Sequence, residues 1–289
     1  YMVENGPPWE NLNFNLEHLQ ETQRRFFGTL WNTYSFFATY ANIDQWQPLA
    51  PGHPEPALTE LDEWALATLN TLVADCDRHY ADYEHTRAAR AISEFVVEQL
   101  SNWYVRLARK RYWHGQMTPD KEAAYATLHR CLLTVAQLMS PIAPFLSDWF
   151  YQALAPGQGG SVHLSDFPAH EPALQAPALQ ARMDAAQRIS GLVRSLRKQQ
   201  KIRLRQPLQQ VRIPVADAAQ QAELDKVAEL IKTETNVKEL VYIAPDDPML
   251  VKELKPDFKV LGPRLGPRMK LVATAAQQLS QEEIRQLEQ

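Results

Sequence analysis

Glycine is scarce in this sequence, 10 in 289 residues, and none of it forms the glycine-rich loop that cradles a nucleotide phosphate. ATP therefore has no recognisable site in the chain. Cysteine is scarcer still. Cys76 and Cys131 each sit in an apolar helical stripe with no His or Cys at ligand spacing nearby, so buried thiols are expected and a metal site is not. The eight histidines are scattered, and no nucleophile has a local context that suggests catalysis. Long apolar runs are also missing: they extend for a few residues, against the roughly 20 that a membrane span requires, and no basic start leads into an apolar signal core. The expectation is a soluble, cytoplasmic protein with no membrane partner and no catalytic residues of its own.

What is present is enough for packed cores. With 45% hydrophobic and 22% charged residues, the chain can form one large globular domain and a smaller one. The net charge of -4 hides a polarised distribution. Residues 1–178 hold 11 Lys+Arg against 20 Asp+Glu, a balance of -9, whereas residues 179–289 hold 19 against 14, a balance of +5. A boundary between them fits the stretch that follows Gly157, Gly159 and Gly160 and contains Pro168, Pro172 and Pro177. The sequence divides on this basis into an entry segment (1–15), a helix bundle (16–168) and a basic helix with a small α+β domain (169–289).

Helical rhythm dominates the first part. An aromatic-rich helix is predicted from Leu16 to about Ala41, its aromatic residues assigned to the core. A second follows Thr59, a good N-cap, with Asp62 and Glu63 in its first turn and a stripe of Leu61, Ala65, Leu69, Leu72, Cys76, Tyr80 and Tyr83. The third runs from about Thr86 to Trp113, the fourth starts near Pro119, and Pro144 opens a fifth. Long helices with short connections make an antiparallel bundle. Beyond it, a helix is predicted over Ala178–Gln199 with Leu179, Met183, Ala186, Ile189, Val193 and Leu196 inward. A strand through Val211, Ile213 and Val215, a helix over Ala218–Lys232 and a strand over Val237–Ile243 complete a small α+β module. Capping-box spacing in Ser280-Gln281-Glu282-Glu283 opens a last helix. The fold class is mainly α.

Two basic constellations stand out. At the end of the third helix, Asn102, Arg106, Arg109 and Trp113 share a face, offering an amide for a base edge, two guanidiniums for phosphate and an indole for stacking. The same cations also suit the negative end of a helix dipole, and for Arg106 and Arg109 spacing does not choose between these, whereas for Trp113 packing is the favoured reading. The second constellation spans Ala185 to Ala216, where eight Lys or Arg occur without one acidic residue. Arg194, Arg197, Lys198 and Lys201 fall opposite the apolar stripe. Lys201, Arg203 and Arg205 then alternate with Ile202 and Leu204 as on a strand. A continuous basic track of this kind predicts salt-sensitive binding of a polyanion. A solvated face docked on the acidic bundle is the alternative.

Several motifs carry a resemblance. Pro7-Pro8-Trp9-Glu10-Asn11-Leu12 and Arg24-Arg25-Phe26-Phe27-Gly28-Thr29-Leu30-Trp31 are followed, in order, by Ser101-Asn102-Trp103-Tyr104-Val105-Arg106 and Pro141-Ile142-Ala143-Pro144-Phe145. Ser161-Val162-His163-Leu164, Arg194-Ser195-Leu196-Arg197-Lys198, Ile202-Arg203-Leu204-Arg205-Gln206-Pro207-Leu208 and Lys255-Pro256-Asp257-Phe258-Lys259 continue the series. Together they resemble the region after the catalytic domain of isoleucyl-tRNA synthetases of the eukaryote-like type, class I aminoacyl-tRNA synthetases. The resemblance covers nearly the whole chain. Pro-Ile-Ala-Pro-Phe alone is shared with valyl, leucyl and methionyl relatives. It implies a bundle that contacts the anticodon arm of isoleucine tRNA, assisted by the small domain, with the parent's own catalytic domain as a further partner and no DNA. Set beside the charge map, this leads to the expectation that Arg194, Arg197, Lys198, Lys201, Arg203 and Arg205 contact phosphates, and that Asn102, Arg106, Arg109 and Trp113 contact loop bases or their backbone. The family's His-Ile-Gly-His-like and Lys-Met-Ser-Lys-Ser-like motifs are absent here. ATP and zinc are accordingly expected only in other parts of the parent, and no cofactor in this chain. Beginning within a family segment and ending within a helical pattern, the sequence reads as a fragment inactive by itself. A helical protein-interaction module, or the same region of a valyl-type enzyme, is the rival reading.

Overall fold

The structure, a computed structural model, describes residues 6, 9–11, 14–48, 56–156, 160–250, 256–279 and 283–284. The chain forms two compact units, Tyr1–Met183 and Asp184–Gln289.

The first unit is a helix bundle. Its opening helix, α1, runs through Leu16–Thr22, a π-helical turn at Gln23–Phe27, and Gly28–Asp44. Helix α2 (Glu60–Ala81) starts at a capping box. Thr59 Oγ1 accepts from Asp62 N, and the Asp62 carboxylate accepts from Thr59 N at 3.0 Å, so both otherwise orphaned amides are satisfied. The stripe predicted on α2 is buried from Ala65 to Cys76, but Tyr83 lies beyond the helix end, left-handed and exposed. Helix α3 joins His85–Glu94, a π-helical stretch Phe95–Val105, a turn Arg106–Ala108 and a 3₁₀ turn Arg109–Trp113. Thr118 caps α4 (Pro119–Met139), and Pro144 begins α5 (Pro144–Leu154); each proline occupies a first-turn position, where no amide donor is required.

The core is aromatic. Trp64, Tyr104, Tyr112 and Tyr125 are fully buried, and Tyr112 meets Tyr125 edge-on with centroids 4.9 Å apart. Trp46, from the loop after α1, stacks on Tyr125 at 5.5 Å. A buried cation supports this packing: Lys121 places its ammonium 2.5 Å from Asp44 and donates to the His114 carbonyl at 2.6 Å. Cys76 and Cys131 are buried free thiols, pushed up to about 12 mainly by desolvation.

The proline-bearing stretch predicted as a domain boundary is bound to the bundle. Glu171 N donates to Asn70 Oδ1 at 2.7 Å, Asn70 Nδ2 returns a bond to Glu171 O at 2.8 Å, and Arg130 pairs with the Glu171 carboxylate. The division between units falls later, inside helix α6 (Pro177–Gln199).

The second unit holds the rest of α6, strand β1 (Leu208–Pro214), α7 (Ala218–Asp225), α8 (Ala228–Thr235) and β2 (Val237–Ile243). One helix was expected over Ala218–Lys232; Val227, with φ -113° and ψ 10°, separates two. The strands pair in parallel, Leu208 opposite Val237 and Ile213 opposite Tyr242, which a helical crossover permits and a tight hairpin does not. Val215 prolongs β1 by donating to Ile243 O. Helices α9 (Phe258–Leu265) and α10 (Met269–Gln278) follow. The helix expected from Ser280 falls largely outside the described residues.

Candidate nucleic-acid interface

The first basic surface is assembled around a buried carboxylate. Asp62 is fully buried. It accepts from Tyr104 OH at 2.7 Å, from Thr59 Oγ1 at 2.7 Å and from both terminal nitrogens of Arg111 at 2.7 and 2.8 Å. Burial alone would raise its pKa, but the hydrogen bonds from Arg111, Tyr104 and Thr59 and the charge of Arg111 outweigh it and hold the carboxyl below its usual range. Arg111 also reaches Asp120, at 3.0 Å. Arg111, the last cation of the Arg109-Lys110-Arg111 run, is thus structural. With Arg111 and buried Tyr112 fixed inward, Arg109, Lys110 and Trp113 turn outward.

All four residues singled out here are exposed. The Arg109 guanidinium lies 5.5 Å from the centre of the Phe36 ring, and Arg106 lies 5.4 Å from Trp103 while donating through Nε to the Asn102 carbonyl at 2.7 Å. These contacts pre-orient both cations. The Asn102 amide donates to Glu98 at 3.3 Å, so the carboxylate occupies one of its two amide donor positions. Glu98 and Phe36 escape a reading based on cations alone, although Glu98 stands one helical turn before Asn102.

The second surface differs from expectation at its centre. Arg197 is only 3% exposed, and its guanidinium donates to four carbonyls: Arg203 at 3.2 Å, Gln206 at 2.8 Å, Thr235 at 2.8 Å and Asn236 at 3.0 Å. It is a structural residue and leaves the set of phosphate contacts. The buried positions of α6 are Leu179, Met183, Ala186, Ser190, Val193 and Arg197, in strict four–three alternation, while Leu196 is exposed. Arg194, half-exposed, is paired with the buried Glu234 and holds less of its charge for a ligand.

Residues 201–205 are not a strand. Helix α6 ends in a Schellman cap: Ile202 N donates to Arg197 O at 2.8 Å, Lys201 N donates to Lys198 O at 3.2 Å, and Lys201 takes the left-handed conformation with φ 55°. A turn closed by Gln206 N and Arg203 O follows, and Arg197 holds that turn by its carbonyls. The result is an exposed basic turn carrying Lys198, Lys201, Arg203 and Arg205, none with a carboxylate partner among the described residues.

Residues 62–213, more than half the chain, match the family model of the anticodon-binding domain of tRNA ligase. The chain belongs to this family. The matched range of the anticodon-binding domain encloses the surface at 102–113 and the turn at 198–205. Relatives similar to it over its whole length include isoleucine–tRNA ligases of Bacteroides thetaiotaomicron, 47% identical, and Porphyromonas gingivalis, 48% identical. The isoleucine–tRNA ligase of Thermus thermophilus is 38% identical over 96% of the chain. The anticodon-binding domain and its flanks span 25% of the first two and 27% of the third. Among the described residues no helix is long and apolar enough to cross a membrane, and no three His, Cys, Asp or Glu gather as a metal site.

Proposed function

We propose that the chain is the tRNA-recognition part of an isoleucine–tRNA ligase, a cytoplasmic enzyme that joins isoleucine to its tRNA with ATP. Catalysis, and any ATP or zinc site, would reside in the remainder of the polypeptide. Lys198, Lys201, Arg203 and Arg205 contact phosphates, with Arg194 a weaker contributor. Asn102, Arg106, Arg109 and Trp113 meet unpaired bases of the anticodon loop or their backbone. The observation that carries this reading is the family match across residues 62–213, which includes both basic surfaces. Exposure supports it, since each of the eight residues other than Arg194 in these two groups is open to solvent.

Phosphate contacts position a nucleic acid and base contacts specify it. A filter-binding titration of the chain with isoleucine and valine tRNAs at two salt concentrations separates the two. We expect tighter binding of isoleucine tRNA, and an affinity that falls about 100-fold between about 50 and about 200 mM salt if four phosphates are neutralised. No binding of either tRNA at low salt would sink the reading for this chain. Preference for valine tRNA would move it to the valyl enzyme.

A further inference from the structure

The aromatic residues of α1 were expected in the core, yet Trp31 is exposed and Phe27 only partly buried. Leu16, Gln20, Arg24, Phe27 and Trp31 recur at three- and four-residue intervals along one face of the helix; Leu16 is 57% and Trp31 47% exposed. On α5, Phe145 and Trp149, one turn apart, are 91% and 44% exposed. The two helices meet here, with the Trp31 and Trp149 rings 5.3 Å apart. Beside them opens a cleft of about 440 Å³ lined by Phe27, Trp31, Leu146 and Phe150, with Arg24 as its one charged residue. Contiguous exposed apolar surface of this kind marks an interaction site.

Its chemistry favours protein over RNA. Affinity for RNA comes mainly from cations meeting phosphates, and this cleft supplies one cation where the turn after α6 supplies four. Leucine and phenylalanine edges, indoles and a single guanidinium suit apolar side chains and one acceptor. The matched isoleucine–tRNA ligases align with this face throughout, and three quarters of their length lies outside the match. We infer that the α1–α5 face is the docking surface for the catalytic part of the ligase, which presents apolar side chains to Trp31, Phe145 and Trp149 and a carboxylate or carbonyl to Arg24. The inference rests on the proposed function.

Hydroxyl-radical footprinting read by mass spectrometry tests it, comparing the 289-residue chain with the full-length ligase that contains it. Oxidation of Trp31, Phe145 and Trp149 should fall about fivefold or more in the full-length protein, as expected for side chains entering an interface core, while Trp113 is unchanged. Equal oxidation in both would overturn the inference. So would protection of these residues in the 289-residue chain by added tRNA, which would make the face an RNA site, or by raised protein concentration, which would make it a self-association site. In the full-length enzyme F145D should lower the thermal transition, whereas in the 289-residue chain it should leave both the transition and tRNA binding unaltered. Loss of stability in both would count against docking. Whether tRNA protects Trp113 reports on the proposed function separately.

Discussion

At Asp62 one carboxylate joins a helix cap, a buried tyrosine and a bidentate arginine, so its removal leaves a charge and several donors without partners. Asp62→Ala should destabilise the chain by about 3–5 kcal/mol, measured by urea unfolding. The folded state holds this carboxyl below its unfolded value. Its contribution is therefore complete above about pH 4 and is lost as the pH falls through the lower folded value. His129 acts in a higher window. Burial lowers its pKa against a bond to the Leu154 carbonyl, so the stability of the neutral ring is present above about pH 6.5 and is lost as the pH falls through the folded value. Urea midpoints between pH 8 and pH 3 should show both declines, approximately, with His129→Phe removing the upper one. Two neighbouring cations should separate fold from binding. Arg197→Ala should cost about 2–4 kcal/mol by stranding buried carbonyls, whereas Lys198→Glu should leave the unfolding curve in place and weaken tRNA binding.

At the scale of elements, much of the bundle is legible because local signals agree with packing: Thr59 and Thr118 cap, Pro119 and Pro144 open helices, and the stripe on α2 keeps a helical period. The π-helical stretches of α1 and α3 are not legible, since an i→i+5 register is chosen by how the side chains pack and leaves no mark in a period of three or four. The turn after α6 misleads for a definite reason. Lys201-Ile202-Arg203-Leu204-Arg205 alternates like a strand, but the Schellman cap and the grip of Arg197 fold it into a turn. Ile189 and Leu196 were attractive as core residues because they are apolar, whereas strict alternation from Leu179 passes through Ser190 and Arg197. The exposed face Asn102–Trp113 could be read from spacing; its partners Phe36 and Glu98 lie on another helix or carry the wrong charge. Lys201→Gly should relieve the left-handed strain and raise stability by about 1 kcal/mol while lowering RNA affinity, a combination visible by pairing thermal unfolding with filter binding.

For the molecule as a whole, charge sign is segregated along the chain, and each compact unit carries one of the two proposed RNA surfaces. They should respond differently. Reversing Lys198, Lys201, Arg203 and Arg205 together should weaken isoleucine and valine tRNAs alike and flatten the salt dependence, while replacing Asn102 or Arg106 should narrow the gap between the two tRNAs at nearly constant salt slope. Equal losses for both tRNAs in the second set would remove the reading role from that face. The buried arginine beneath the basic turn has a consequence for living cells. Because Arg197 supports the turn from inside, an allele altering it should reduce the amount of protein through degradation of unfolded chains, with a temperature-sensitive defect that extra expression relieves. An allele of Lys198 should leave abundance normal and yield to no such rescue by cooling.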